Sequence, residues 1–364
     1  MKIALLGTRG IPARYGGFET FAEELCARLA ERGHDVTVYC RPNGIDHPGP
    51  SYRGVRLVVL PAIRHKYLDT LSHTFFSTLH LLFQRRQVAL FCNGANAVFT
   101  LWPRLLGLPT ILNVDGIERQ RRKWNALARG WYWICEWLTK WFPTAVVADA
   151  EVIRKYYAET HNKATHLIAY GAPTGKVATR AILDRHGLEP GGYFLYVSRL
   201  EPENNALLVV RAFERSGVGR KLVIVGDAPY AKDYIAAVKA TKDPRILFTG
   251  AIYGEGYHEL QSHCFAYIHA TEIGGTHPAL IEAMGRGAPV LFLDTPENRE
   301  VAGEVGFAYS KDEDNLAAAI ASVAGLTSEE RARAGQASMQ YAQQHYSWET
   351  VVDRYEELFR RLVR

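Results

Sequence analysis

Residues 269–291 read HATEIGGTHPALIEAMGRGAPVL. An apolar run ends at His269, a glycine pair follows at Gly274 and Gly275, and a helical pattern opens between Thr276 and Pro278. Proline has no N–H to lose in the first turn of a helix, so Pro278 suits an early helical position. Gly285 and Gly287 close that helix before the next apolar run begins at Pro289. A strand, a glycine turn, a helix and another strand in one short span is the grammar of a parallel sheet wrapped by helices.

The same grammar extends in both directions. YFLYVS, KLVIVG, RILFTG, CFAYIH and PVLFL read as five strands, with helices near 204–216, 231–241, 276–286 and 312–325, which together make one Rossmann-like unit. Upstream, strands near 2–6, 35–40, 55–60, 87–92, 109–114 and 144–148 alternate with helical patterns and make another. The clearest helix there follows GGFETF, with Phe21, Ala22, Leu25 and Leu29 at helical spacing and a stop at Gly33. Between about 165 and 192 the pattern dissolves into glycine and proline punctuation, the mark of a boundary. The fold class is therefore α/β with two doubly wound domains, 1–169 and 170–346, and a capped helix over 347–364 that returns to the first.

Bulk composition narrows the class without naming a function. A chain of 364 residues that is 48% hydrophobic and 22% charged is globular and long enough for two domains. A net charge of +5 suits an anionic ligand or a membrane surface but decides little. Cys26, Cys40, Cys92, Cys135 and Cys264 are odd in number and form no Cys-x-x-Cys pair, so they read as reduced core thiols. No signal-peptide pattern and no apolar run of about 18 residues is present, and the expected place is the cytoplasm or the cytoplasmic face of the membrane.

Three places can carry chemistry. In GTRGIPARYGGFETF the glycines Gly7 and Gly10 loosen a loop, and Gly16 and Gly17 stand directly before a helix, where backbone N–H groups form an anion site. A tight strand-to-helix turn explains the same residues. The loop is neither a Gly-x-Gly-x-x-Gly fingerprint nor a P-loop, which lowers hydride and phosphoryl transfer. Arg199 stands just beyond a strand, at the carboxyl edge where parallel sheets bind ligands, and suits a diphosphate; a surface ion pair is the plainer alternative. Glu282 is placed to grip a ribose diol, because its apolar neighbours argue against an exposed helix charge, and Glu272 stands where it could reach a sugar.

Two such units, a glycine pair opening the first helix, SRLEPENN, and GGTHPALIEAMGRG together resemble the retaining glycosyltransferases of the GT-B fold, over nearly the whole chain. Within that family the motifs, with LNVDGIERQRRKW, look most like the bacterial rhamnosyltransferase-like branch. The resemblance implies a donor cleft between the domains, retention by front-face attack, no metal and no cofactor beyond the substrate. It implies a donor linked to dTDP, UDP or GDP, with a dTDP-linked 6-deoxysugar favoured, and a saccharide or lipid-linked saccharide acceptor. Gly16, Gly17, Arg199, Asn204, Gly274, Gly275, Thr276 and Glu282 fall on the donor side, and Arg9, Tyr15, Asp115 and Glu118 on the acceptor side. Asp115, Arg199 and Glu272 are the expected catalytic set. Three positions depart from the family: Gly274 stands where its first glutamate is usual, Asn204 where a lysine is usual, and Asp115 where a histidine is usual. A nucleotide-sugar epimerase of similar architecture, or a binding protein without turnover, remains the competing reading.

Residues 118–142, ERQRRKWNALARGWYWICEWLTKWF, hold five of the seven tryptophans interleaved with Arg119, Arg121, Arg122, Lys123, Arg129 and Lys140. Such a segment fits the inner surface of a membrane. A helix buried in the core explains it as well, and no nucleic-acid-binding module accompanies it, so nucleic acid is not an expected partner.

Overall fold

The computed structural model describes residues 1–14, 16–42, 49–65, 67–122, 124–228 and 231–363. The chain divides into two compact units, Met1–Gly171 with Trp348–Arg364, and Ala172–Ser347.

Unit 1 runs β1 (Lys2–Leu6), α1 (Gly17–Glu31), β2 (Asp35–Cys40), β3 (Ser51–Tyr52), β4 (Val55–Val59), α2 (Asp69–Leu82), β5 (Val88–Cys92), α3 (Leu101–Leu105), β6 (Thr110–Val114), α4 (Ala126–Leu138), β7 (Ala145–Ala148), α5 (Glu151–His161) and β8 (His166–Leu167). The strands order as β3-β4-β2-β1-β5-β6-β7-β8, parallel except where β3 meets β4. VALFC and TILNV are buried at every residue, as expected of strands covered on both faces. The α1 helix buries Phe21, Ala22, Leu25 and Leu29 and ends at Gly33, whose φ of 83° lets its N–H turn back to the Ala30 carbonyl at 2.9 Å.

Unit 2 runs α6 (Ala181–His186), β9 (Tyr193–Val197), α7 (Ala206–Arg215), β10 (Lys221–Val225), α8 (Lys232–Val238), β11 (Ile246–Gly250), α9 (Glu255–His263), β12 (Ala266–His269), α10 (Pro278–Gly285), β13 (Val290–Leu293), α11 (Pro296–Ala302), β14 (Phe307–Tyr309), α12 (Glu313–Ala324) and α13 (Ser328–His345). Its parallel strands order as β11-β10-β9-β12-β13-β14. The stretch expected to lack a pattern contains β8 and α6. The α6 helix is fixed from a distance: the buried Glu259 carboxylate accepts the N–H groups of Ile182 and Leu183 at 2.6 and 3.0 Å.

The last helix, α14 (Trp348–Val363), packs within unit 1. Its Tyr355 hydroxyl accepts a bond from the Asn113 amide on β6 at 2.8 Å, and Arg32 meets Glu349, Asp353 and Glu356 at 2.9, 2.6 and 3.0 Å. Gly171 is required beneath it, because a Cβ there would lie 2.3 Å from the Trp348 ring.

On α2, His73 is fully buried, and burial with the nearby Arg41 charge pushes its pKa down to about 3. The unfolded chain binds this proton below about pH 6.5 and the native chain does not, so stability is complete above that pH and falls on acidification. Urea denaturation between pH 7 and pH 4 is expected to show a loss approaching ~1.4 kcal/mol per pH unit from this group. His73→Gln should flatten that slope, and an unchanged slope would remove His73 as its source.

Candidate donor and acceptor sites

In unit 2 the chain lays β9, β10 and β11 outward in one direction and then returns to place β12 on the other side of β9. The loops leaving the carboxyl ends of β9 and β12 therefore diverge, and a crevice opens between them where α/β sheets take ligands. Arg199 lies on the first loop, and Gly274 to Thr276 lie on the second.

These loops are strapped together by side chains. Asn205, in the left-handed region at φ 56°, donates to the Ala270 carbonyl at 2.8 Å and to Glu272 Oε1 at 2.7 Å. The Glu272 N–H returns to the Glu203 carbonyl at 3.1 Å. Asn204 is buried, donating to the Arg199 carbonyl at 2.7 Å and accepting from the Tyr196 hydroxyl at 2.6 Å on its own carbonyl. It shapes the loop that carries Arg199. Gly226, at φ 146°, passes so close to the same loop that a Cβ would stand 1.8 Å from the Ser198 oxygen. The Arg199 side chain keeps a third of its surface exposed, with Glu201 at 3.9 Å. Glu272 also pairs with Lys311.

On the second loop, the N–H groups of Gly274 and Gly275 donate to no acceptor among the described residues. They stand just before α10, whose own first N–H groups and dipole add positive potential. Glu282 is buried on α10, with Leu280, Ile281, Ala283 and Met284 buried around it, which excludes the exposed helix charge. Its Oε2 accepts from the Tyr257 hydroxyl at 2.6 Å, and Gln261 donates to that hydroxyl at 2.8 Å. Burial and then the Glu282 charge hold the Tyr257 hydroxyl well above its ordinary pKa, so it remains a donor. His277 packs 4.7 Å from His269, whose pKa is driven down by burial and then by His277.

In unit 1 the equivalent divergence lies between β1 and β5. The loop after β1 is drawn tight by Gly7 and Gly10, where a Cβ would meet the Cys92 oxygen at 2.3 Å and the Cys40 sulfur at 2.5 Å. Glu19 on α1 braces it by accepting the Arg9 N–H at 2.9 Å. Gly16 caps α1 in extended backbone, and a Cβ there would meet nothing nearer than Glu19 at 3.5 Å. Neither conformation nor packing asks for glycine at that position, whereas both ask for it at Gly7 and Gly10. The N–H groups of Gly17 and Phe18 donate to no acceptor among the described residues. Tyr15 lies outside the described residues.

Asp115 follows β6, half-buried, and its charge is felt by the buried hydroxyls of Tyr132, Tyr157 and Tyr170. Glu118 is buried, with Oε1 accepting from Arg121 at 2.5 Å and Oε2 from the Trp124 ring N–H at 3.4 Å. Each of its oxygens accepts one bond from within the same loop. Sequence reading missed Arg41, buried just past β2, which pairs with Asp69 at 2.7 Å and with Thr70 at 3.0 Å, while Arg9 approaches Asp69 at 3.7 Å. Its place at a strand's carboxyl end was the available signal.

Two family matches divide along the same line. Residues 16–171 match the family described as Glycosyl transferase 4-like domain, and residues 191–325 match Glycosyl transferases group 1. The chain is a glycosyltransferase of the GT-B type. Solved structures share its fold at low identity. HepE from Anabaena, in complex with UDP and glucose, is 16% identical with a TM-score of 0.81, over 98% of this chain and 99% of that one. Sucrose-phosphate synthase from Thermosynechococcus elongatus is 18% identical with a TM-score of 0.79, over 99% and 98%. A UDP-forming α,α-trehalose-phosphate synthase from Burkholderia xenovorans is 11% identical with a TM-score of 0.77, over 99% and 100%.

Thermal melting should separate the glycines. Gly16→Ala is expected to cost under about 1 kcal/mol, as a weaker N-cap does. Gly226→Ala is expected to cost more than about 3 kcal/mol through backbone overlap and strain. Equal losses would overturn the assignment of Gly16 to something other than packing.

Proposed function

We propose that this chain transfers a hexosyl group, with retention and without a metal ion, from a nucleoside-diphosphate sugar to a saccharide acceptor. The observation that carries the reading is the pair of strapped loops at the β9/β12 divergence. One of them carries Arg199, and the other leads into α10 with Gly274 and Gly275 N–H groups that meet no acceptor among the described residues. An anion is the ligand such groups stabilise. In the reaction the bond from the sugar's anomeric carbon to the diphosphate breaks, its electron pair leaving on the phosphate oxygen. The acceptor hydroxyl oxygen bonds the same carbon from the same face as its proton departs. Charge on the leaving diphosphate is the main quantity to stabilise, and preorganised donors do so at little reorganisation cost. Glu282, held by Tyr257, is the proposed ribose ligand, Glu272 the proposed contact to the sugar, and Asp115 the proposed acceptor-side base.

HepE is described with UDP and UDP-glucose, and the trehalose-phosphate synthase as UDP-forming, which supports a nucleotide-sugar donor. The resemblance noted from the motifs makes a 6-deoxyhexose such as rhamnose the first sugar to try. Thermal-shift measurement with UDP, dTDP and GDP and their sugars is expected to single out one nucleotide, because binding to the native state alone raises Tm. With the donor found, Arg199→Ala is expected to lower kcat by about 10²–10³ while the fold is kept. Wild-type turnover would remove Arg199 from the site, an isomerised donor would make the protein an epimerase, and binding without release of nucleoside diphosphate would leave it a binding protein.

A further inference from the structure

The tryptophan-rich segment turns its rings the wrong way for a core. On α4 the buried face holds Tyr132, Cys135 and Glu136, and Glu136 is satisfied there by Arg119 at 3.0 Å, the Tyr156 hydroxyl at 2.7 Å and His161 at 3.4 Å. The opposite face presents Leu127, Trp133, Ile134, Trp137 and Trp141, with Trp133 57% and Trp137 50% exposed. Leu127, Ile134, Trp137 and Trp141 recur at helical spacing, so they form one stripe. Trp131, by contrast, is half-buried with its ring N–H on the Ala95 carbonyl at 3.1 Å. The core explanation therefore holds for Trp131 and fails for the stripe. Arg104 on α3 reaches the Phe142 and Pro143 carbonyls at 3.3 and 3.4 Å, next to the stripe's far end, and the following Leu105 and Leu106 are exposed.

Charge is sorted across the same helix. Between residues 101 and 143 the acids are Asp115, Glu118 and Glu136, of which none is exposed. Arg129 and Lys140 are exposed at the two ends of the stripe, and neither pairs with a carboxylate among the described residues. Lys140 lies over the Trp141 ring at 5.3 Å. Beside the stripe's first turn opens a shallow pocket of about 480 Å³ lined by Arg119, Gln120, Arg129, Gly130 and Trp133.

We propose that this face of α4, with the adjoining end of α3, docks on the surface of an anionic phospholipid bilayer. Indole rings favour the depth of the headgroups and acyl boundary, and cations at either end of the stripe meet lipid phosphates there. The pocket between Arg119 and Arg129 takes one such phosphate. A second copy of the chain is a poorer occupant, because a two-fold pairing of this face would bring its own cations together with no exposed acid between residues 101 and 143 to meet them. No helix among the described residues is long and apolar enough to cross a membrane, so the contact lies on the surface.

Flotation of the full chain with vesicles tests this without any sugar donor or acceptor, and so independently of the transferase reading. Vesicles of phosphatidylcholine with roughly one-third phosphatidylglycerol are expected to carry the protein up, and pure phosphatidylcholine to carry at least about tenfold less, with the difference reduced by salt. The triple variant Trp133→Ser, Trp137→Ser, Trp141→Ser is expected to lose binding about tenfold or more, with melting near wild type because those rings are exposed. Arg129→Glu with Lys140→Glu should erase the preference for the anionic lipid. The proposal is overturned if wild type stays with the unbound fraction, if both variants float as wild type does, or if the stripe proves to close a stable dimer in solution.

Discussion

Backbone N–H groups at the start of a helix have no partner inside it, and a parallel sheet gathers such helix starts along one edge. That constraint organises both units. At β9/β12 and again at β1/β5, neighbouring strands send their chains to opposite sides, and the donors of the following loops and helices are left facing the gap. Polar groups then serve two separate purposes. Asn204, Asn205 and Glu19 spend polar atoms on holding loops still, whereas the Gly274 and Gly275 N–H groups meet no acceptor among the described residues.

Much of this is legible in the chain because buried strands and their glycine punctuation are local signals. KLVIVG or PVLFL cannot face water on either side, and the observed strands fall within a residue or two of the expected ones. The failures share a physical cause, which is dependence on residues far away. The α6 helix is invisible in a run of prolines and glycines because its cap is Glu259. The β14 strand is three residues long and exists because β13 offers it a parallel edge. On α4 two helical stripes are interleaved, one ending in Glu136 and one in Trp137, and periodicity cannot say which faces inward. A carboxylate partnered by the distant Arg119 and Tyr156 settled what hydrophobicity alone would have reversed.

The loop after β9 carries Arg199 and no lysine beside it. The family resembled in the motifs usually carries a lysine where this chain has Asn204. A lysine there would add a second fixed cation next to Arg199, and a leaving diphosphate would be met by two point charges. Here the amide at that position closes the loop on the Arg199 carbonyl, so in the proposed reaction the positive potential comes from one guanidinium and from the dipoles of Gly274, Gly275 and the α10 helix. Dipoles act over a shorter range than a charge and depend more on orientation. Their usefulness therefore rests on the second loop being held in register with the first. The Asn205 amide, reaching from one loop to the Ala270 carbonyl and Glu272 of the other, supplies that register.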